Sequence, residues 1–186
     1  MTTPARHAPI ALLLSMFLTA GAQAQQPQTV THVELDRYAG KWYEIARFPN
    51  KFQSQCTADV TADYIRRDDG QFDVVNRCRK SDGALDEAKG RARVADTVTN
   101  AKLDVRFAPD WMAWLPTVWA PYWIVDLAPD YAYAAVGDPK REFLWILSRT
   151  PQLPDPLYEN AVNQATAQGY DTARLVKTRQ QSQSLQ

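Results

Sequence analysis

Leu85-Asp86-Glu87-Ala88-Lys89-Gly90-Arg91-Ala92-Arg93-Val94 is followed, seven residues on, by Lys102-Leu103-Asp104-Val105-Arg106-Phe107. Ala88, Gly90, Ala92 and Val94 alternate with Lys89, Arg91 and Arg93; Leu103, Val105 and Phe107 alternate with Lys102, Asp104 and Arg106. Successive side chains of an extended strand point to opposite faces, so a period of two gives each segment one wet face and one apolar face. Both segments are therefore predicted to be antiparallel strands with one side toward water.

Six further segments of this kind flank them, at Gly40–Phe48, Thr57–Ile65, Phe72–Lys80, Tyr122–Leu127, Tyr131–Val136 and Glu142–Ser148. Asp68-Asp69-Gly70, Ser81-Asp82-Gly83, Ala128-Pro129-Asp130 and Gly137-Asp138-Pro139 separate them with residues that tolerate or impose turn dihedrals. Short connections join antiparallel neighbours, and eight such strands can close and remove their exposed edges. The expected fold is all-β: an eight-stranded antiparallel up-and-down barrel, or calyx.

Asp155 caps a predicted helix that opens with Pro156, stops at Gly169 and carries Tyr158, Ala161, Val162 and Ala165 on one face. The strand Phe143-Leu144-Trp145-Ile146-Leu147 is apolar on both faces, as required if one C-terminal α-helix packs outside the barrel over it. Ala173–Lys177 reads as a short added strand, and the Gln/Ser-rich stretch 180–186 as a loose tail.

Arg6, the apolar run Ile10–Ala20 and the small-x-small triplet Ala22-Gln23-Ala24 form a secretory signal peptide over 1–24, too short in its apolar part for a membrane span. Residues 25–179 then make one domain, periplasmic or secreted. After Leu18-Thr19-Ala20-Gly21 stands Ala22 where a lipid-anchored protein needs cysteine, so outer-membrane anchoring is not expected.

The 186 residues carry 21 Lys+Arg against 21 Asp+Glu with no basic run, which argues against a nucleic-acid partner. No P-loop, G-x-S-x-G, CxxC or HExxH is present, and His32 is the single histidine after Ala24, so no metal and no cofactor is expected. Cys56 and Cys78 lie in the exported part, where an oxidising compartment favours a disulfide, and strand parity puts both on the apolar face. The alternative is a free nucleophilic thiol served by His32.

Ala88, Gly90 and Ala92 are small for an inward face; they leave space that a small ligand occupies, or that aromatic rings from other strands fill. Replacing Ala92 with Trp is expected to fill that space. Inward parity makes Val60, Tyr64, Phe72, Val74, Asn76, Ala92, Leu103, Val105 and Phe107 the candidate ligand contacts. Asn76 stands out, because an amide on an apolar face must find a partner. The loop 108–121 holds Trp111, Trp114 and Trp119 with three prolines. It borders the pocket mouth, meets a membrane surface, contacts a second copy in a homodimer, or folds back over an outer face; Trp111 joins the ligand-contact candidates on the first of these readings.

Gly40-Lys41-Trp42-Tyr43-Glu44-Ile45-Ala46-Arg47-Phe48 has the form of the lipocalin G-x-W block, Asp130-Tyr131 falls where that family carries its second block, and Leu144-Trp145-Ile146-Leu147-Ser148-Arg149-Thr150-Pro151 resembles its third. The resemblance spans roughly Glu34 to Lys177 and is closest to the bacterial Blc-type and apolipoprotein D-like lipocalins. It implies a calyx that binds a hydrophobic small molecule, not an enzyme. For the bacterial branch it implies a fatty acid or lysophospholipid, a role in envelope lipid maintenance and, in some members, dimerisation. Gly40, Trp42 and Arg149 are the matching motif positions, and a guanidinium over the Trp42 indole would plug the closed end. Two other classes stay open: an enzyme on the same fold using a cysteine or a pocket tyrosine, and an interaction module with a filled barrel and a working Trp-rich loop.

Overall fold

Gly70 and Gly83 adopt φ of 80° and 83°, a left-handed conformation that glycine reaches without a Cβ penalty. Each closes a tight turn of one meander. The computed structural model describes residues 25–181; residues 1–24, read from sequence as a signal peptide, and residues 182–186 of the expected tail lie outside the described residues. The elements are helix α1 (Leu35–Tyr38), strands β1 (Gly40–Arg47), β2 (Cys56–Arg66), β3 (Phe72–Lys80), β4 (Leu85–Val94), β5 (Lys102–Arg106), β6 (Ala120–Leu127), β7 (Tyr133–Gly137) and β8 (Leu144–Ser148), helix α2 (Asp155–Ala167) and strand β9 (Val176–Lys177). Strand neighbours follow chain order from β2 to β8, then β1 and β9, and pairing of β2 with β1 closes the barrel.

The eight-strand meander, the outer helix and the added strand agree with the sequence reading. The bounds of β3 and β4 coincide with it, and β9 is shorter than expected. Helix α1 is new: four residues leave no periodic pattern to read. In α2, Pro154 occupies the capping position and Asp155 is already helical. Ala161 and Ala165 are its buried residues, and they pack with Leu144 and Ile146 from the outer face of β8.

The β1–β2 closure is short. The two strands pair only from Gly40↔Tyr64 to Tyr43↔Thr61, after which they diverge. The chain end fills the gap: Ala46 pairs with Lys177, Asp59 N–H donates to the Arg179 carbonyl at 2.9 Å, and the Gln180 amide donates to the carbonyls of both Glu44 and Val60 at 2.8 Å. Gln180 and Gln181, assigned by sequence to a loose tail, are thus tied to the seam, because two diverging strand edges present unpaired backbone groups that need partners.

At the opposite end the segment from Val30 to Tyr38 crosses the barrel floor, with Val33 N–H donating to the Thr99 carbonyl at 2.8 Å. Trp42 is fully buried there, its indole N–H donating to the Tyr38 carbonyl at 2.9 Å. The Arg149 guanidinium lies 3.7 Å from the centre of the Trp42 ring and donates to the carbonyls of Lys41 at 2.9 Å and Tyr38 at 3.1 Å. Gly40 opens β1 at φ 94°, where a side chain would be strained. Phe72, Leu103, Ile124 and Val136 pack above this plug and fill the lower barrel.

Trp42→Ala should cost about 3 to 5 kcal/mol of stability, read by denaturant unfolding; a loss below about 1 kcal/mol would remove Trp42 from the plug. Asp126, on β6, has an Oδ2 atom buried without a partner among the described residues, and burial raises its carboxyl above the ordinary range. The folded state then holds the Asp126 proton more tightly than the unfolded chain, so stability falls as pH rises from the ordinary carboxylate value through the raised one. Asp126→Asn should raise the unfolding midpoint at pH 7, with a gain that shrinks as the pH falls toward the ordinary carboxylate range and is absent below it.

Candidate ligand cavity

Above the filled lower barrel, the wider upper part encloses an open-ended cavity of about 480 Å³. Its walls are mostly apolar: Val60 and Ala62 from β2, Val74 from β3, Ala88 from β4, Val105 from β5, Tyr122 from β6, and Trp145 and Leu147 from β8. Alternation explains the set, since each strand contributes every second residue. A pocket of this size and lining fits one drug-sized or lipid-sized hydrophobe.

Of the sequence candidates, Val60, Tyr64, Val74, Asn76, Val105 and Phe107 line this cavity. Phe72, Ala92 and Leu103 do not. They face inward as parity requires but are fully buried in the lower core. Parity gives the face and not the height: Phe72 pairs with Ala92 right after the turn at the closed end, and Val94 pairs with Leu103 beside the next one. Nor does the small size of Gly90 leave a void. A Cβ there would lie 2.7 Å from the Phe107 ring, which leans across it.

Trp111 is also displaced from the site. At Ala108 the loop turns outward, because the buried Arg106 guanidinium on the outer face holds the Ala108 carbonyl and the Asp110 carboxylate. That contact keeps the Asp110 carboxyl below the usual carboxylate range. Trp119 packs back on the outer face, with the Arg93 and Arg106 guanidinium carbons 4.2 and 5.1 Å from its ring centre. Trp111 and Trp114 are left 73% and 75% exposed.

Several wall residues escaped the sequence reading. Trp145 and Leu147 sit on a strand that is apolar on both faces, where parity cannot choose a side. Gln53 and Phe52 come from the β1–β2 loop at the mouth, which has no period at all. Gln53 is fixed by a 2.9 Å bond from the Trp145 indole N–H and donates to the buried Glu44 carboxylate at 2.7 Å. Arg47 donates to the other Glu44 oxygen at 2.5 Å, so this acid is fully engaged in the wall. On the far side, the Gln55 amide donates to Asp86 at 2.9 Å.

Cys56 and Cys78 form a disulfide, with Cα atoms 5.6 Å apart, in the upper wall. It ties the start of β2 to the end of β3 and is worth about 3 kcal/mol. No free cysteine remains among the described residues, and His32 is exposed on the segment that crosses the floor. The thiol-based alternative therefore has no nucleophile. Among the described residues no group of three metal-ligating side chains gathers, and no helix is long and apolar enough to cross a membrane.

At the bottom of the cavity three tyrosines meet, Tyr64 and Tyr122 in its lining and Tyr38 buried in the floor beneath. The Tyr38 and Tyr122 hydroxyls are 2.8 Å apart, and the Tyr64 ring lies beside them, its centre 5.9 Å from that of Tyr122. Burial, before any other influence, pushes all three hydroxyls above their ordinary range, so they remain protonated at physiological pH. Asn76 Oδ1, in the wall above, is buried with no partner among the described residues.

The geometry relocates the cavity-filling substitution from Ala92 to Ala88. Ala88→Trp should remove binding of added hydrophobic ligand with the circular dichroism spectrum unchanged, whereas Ala92→Trp should overpack the lower core and lower stability by about 1 to 3 kcal/mol. Undiminished binding by a folded Ala88→Trp protein would place the ligand elsewhere.

A family model described as a lipocalin-like domain matches residues 33–180. Temperature-induced lipocalin-1 of Arabidopsis thaliana is 38% identical over 160 residues, covering 85% of each chain. Outer membrane lipoprotein Blc of Escherichia coli (strain K12) is 32% identical over 176 residues, covering 92% of this chain and 95% of its own. Apolipoprotein D of Mus musculus is 31% identical over 186 residues, covering 92% and 93%. Insecticyanin from the tobacco hornworm Manduca sexta has the same fold, with a TM-score of 0.67 at 18% identity, covering 88% of this chain and 89% of its own. With the G-x-W block opening β1 beneath an apolar calyx and a matching family model over most of its length, the chain belongs to the lipocalin family.

Proposed function

We propose that this protein is a periplasmic carrier that takes one single-chain amphipathic lipid, a fatty acid or lysophospholipid, into its calyx and serves envelope lipid maintenance. The observation that carries this reading is the open-ended apolar cavity of about 480 Å³. Burying a chain of apolar carbons there gains about 0.8 kcal/mol per CH₂, enough for tight binding from the tail alone. The export signal read at 1–24 supports a periplasmic site of action. The likeness to Blc, whose name places it at the outer membrane, supports an envelope role. Cavity walls without a thiol or a metal-ligating cluster favour binding over catalysis.

The 73% and 75% exposure of Trp111 and Trp114 favours one further contact, made by the loop between β5 and β6 at the open end of the barrel. Indole side chains suit a bilayer interface, where a carrier would collect and release its lipid. The same two residues would serve a homodimer.

Native mass spectrometry of protein purified from a periplasmic extract tests the carrier reading: the expected mass is a chain starting at Gln25, with one disulfide and one bound lipid. An empty protein that also rejects added fatty acid and lysophospholipid would overturn it. A Trp111→Ala, Trp114→Ala double variant should lose co-sedimentation with lipid vesicles while keeping its affinity for lipid monomers, and unchanged sedimentation would remove the membrane contact.

A further inference from the structure

The tyrosine group assigns the polar end of the ligand. The contact between the Tyr38 and Tyr122 hydroxyls engages those two with each other, and Tyr38 is fully buried in the floor. The Tyr64 hydroxyl has no hydrogen-bond partner among the described residues, and Tyr64 lines the cavity. An unsatisfied donor in an apolar cavity is costly. Tyr64 therefore offers its O–H to whatever fills the space above it.

One rung above is an unmatched acceptor. Tyr64 pairs with Val74 and its inward neighbour Ala62 with Asn76, so the Asn76 amide follows Tyr64 up the wall, and its Oδ1 is buried without a partner among the described residues. Rotation about the last side-chain bond turns either end of that amide toward the cavity. A spare donor beside a spare acceptor matches a single group that both accepts and donates, and a hydroxyl is the simplest one.

Charge argues the same way. Two cations touch the cavity wall, and both are turned away from it: Arg77 pairs with Asp63 at 2.7 Å and Glu87 at 2.8 Å, and Arg106 is held by Asp110. The acids lining the cavity are Glu44 and Asp86. A carboxylate led into this space would be desolvated with no counter-ion, at high cost.

We infer that the calyx takes a long apolar molecule that enters with an uncharged hydroxyl, which accepts from Tyr64 and donates to Asn76, making these two residues its determinants of specificity. The inference rests on the carrier reading, that one long-chain amphiphile occupies this cavity, and puts an alcohol-ended chain in place of the fatty acid or lysophospholipid named there.

The test is displacement of N-phenyl-1-naphthylamine from the full-length mature protein by four probes of matched chain: 1-dodecanol, 2-tridecanone, dodecanoate and tridecane. The wild type should bind dodecanol about tenfold more tightly than tridecane or dodecanoate, the size of one net hydrogen bond or more. Tyr64→Phe should lower dodecanol and tridecanone affinity alike by about tenfold; Asn76→Leu should lower dodecanol affinity alone, because a ketone only accepts. Tyr38→Phe keeps the Tyr64 donor and should change neither by more than about twofold, which separates recognition from a general disturbance of the floor. Unchanged dodecanol affinity in Tyr64→Phe, or dodecanoate binding as tightly as dodecanol, would overturn this inference while leaving the carrier reading in place. Failure of all four probes to displace the dye would overturn both.

Discussion

The stacking of Arg149 on Trp42 is the contact on which the rest of the structure depends. It joins the segment that crosses the floor, the first strand and the exit of the eighth at one point, 3.7 Å from guanidinium carbon to ring centre. An eight-stranded barrel has an interior only just wide enough for side chains to fill or for one small ligand to occupy. Blocking one end with a buried indole and a cation that cannot deprotonate lets the lower half pack as an ordinary core, while the upper half stays open. The cavity is thus a consequence of where the filling stops. Gly40 permits the plug by its positive φ, and Tyr38 accepts a hydrogen bond from each of the two plug residues.

A second constraint acts at the seam. Strands β1 and β2 cannot stay paired along their whole length as the barrel widens, and the groups they release are covered by the chain end through β9 and Gln180. Closed below by the plug and laterally by this strap, the wall exposes few unpaired backbone groups to the cavity. The polar groups that remain inside are few and placed by strand register: a tyrosine hydroxyl, an asparagine amide, and carboxylates already engaged by Gln53, Arg47 and Gln55.

Strand existence, order and facing were legible in the sequence because they depend on local rules. Alternation marked β4 and β5, and Asp-Gly turns bounded β3 and β4 to the residue. Depth was not read from the periodicity, since it depends on which turn lies at the plugged end. Phe72, Ala92 and Leu103 were placed on the correct face and at the wrong height, although their closeness to the turns at the closed end was a signal that register arithmetic from Trp42 could have used. Wall residues from β8 were hidden by a strand buried on both sides, and those of the mouth loop by the absence of any period. The outward turn of the Trp-rich loop depends on Arg106 reaching Asp110, a contact between side chains on the outer face that alternation alone does not reveal.

The central claim is that the upper barrel, and no other part of the molecule, holds the ligand. Methyl NMR during titration with a single-chain lipid tests it most directly, because Val60, Val74, Val105 and Leu147 line the cavity whereas Leu103 lies in the filled lower core and Leu144 lies under the outer helix. The expected result is saturable shifts of the first four methyl pairs with Leu103 and Leu144 unmoved. Shifts centred on Leu144 and its neighbours, or none at saturating lipid, would contradict the account.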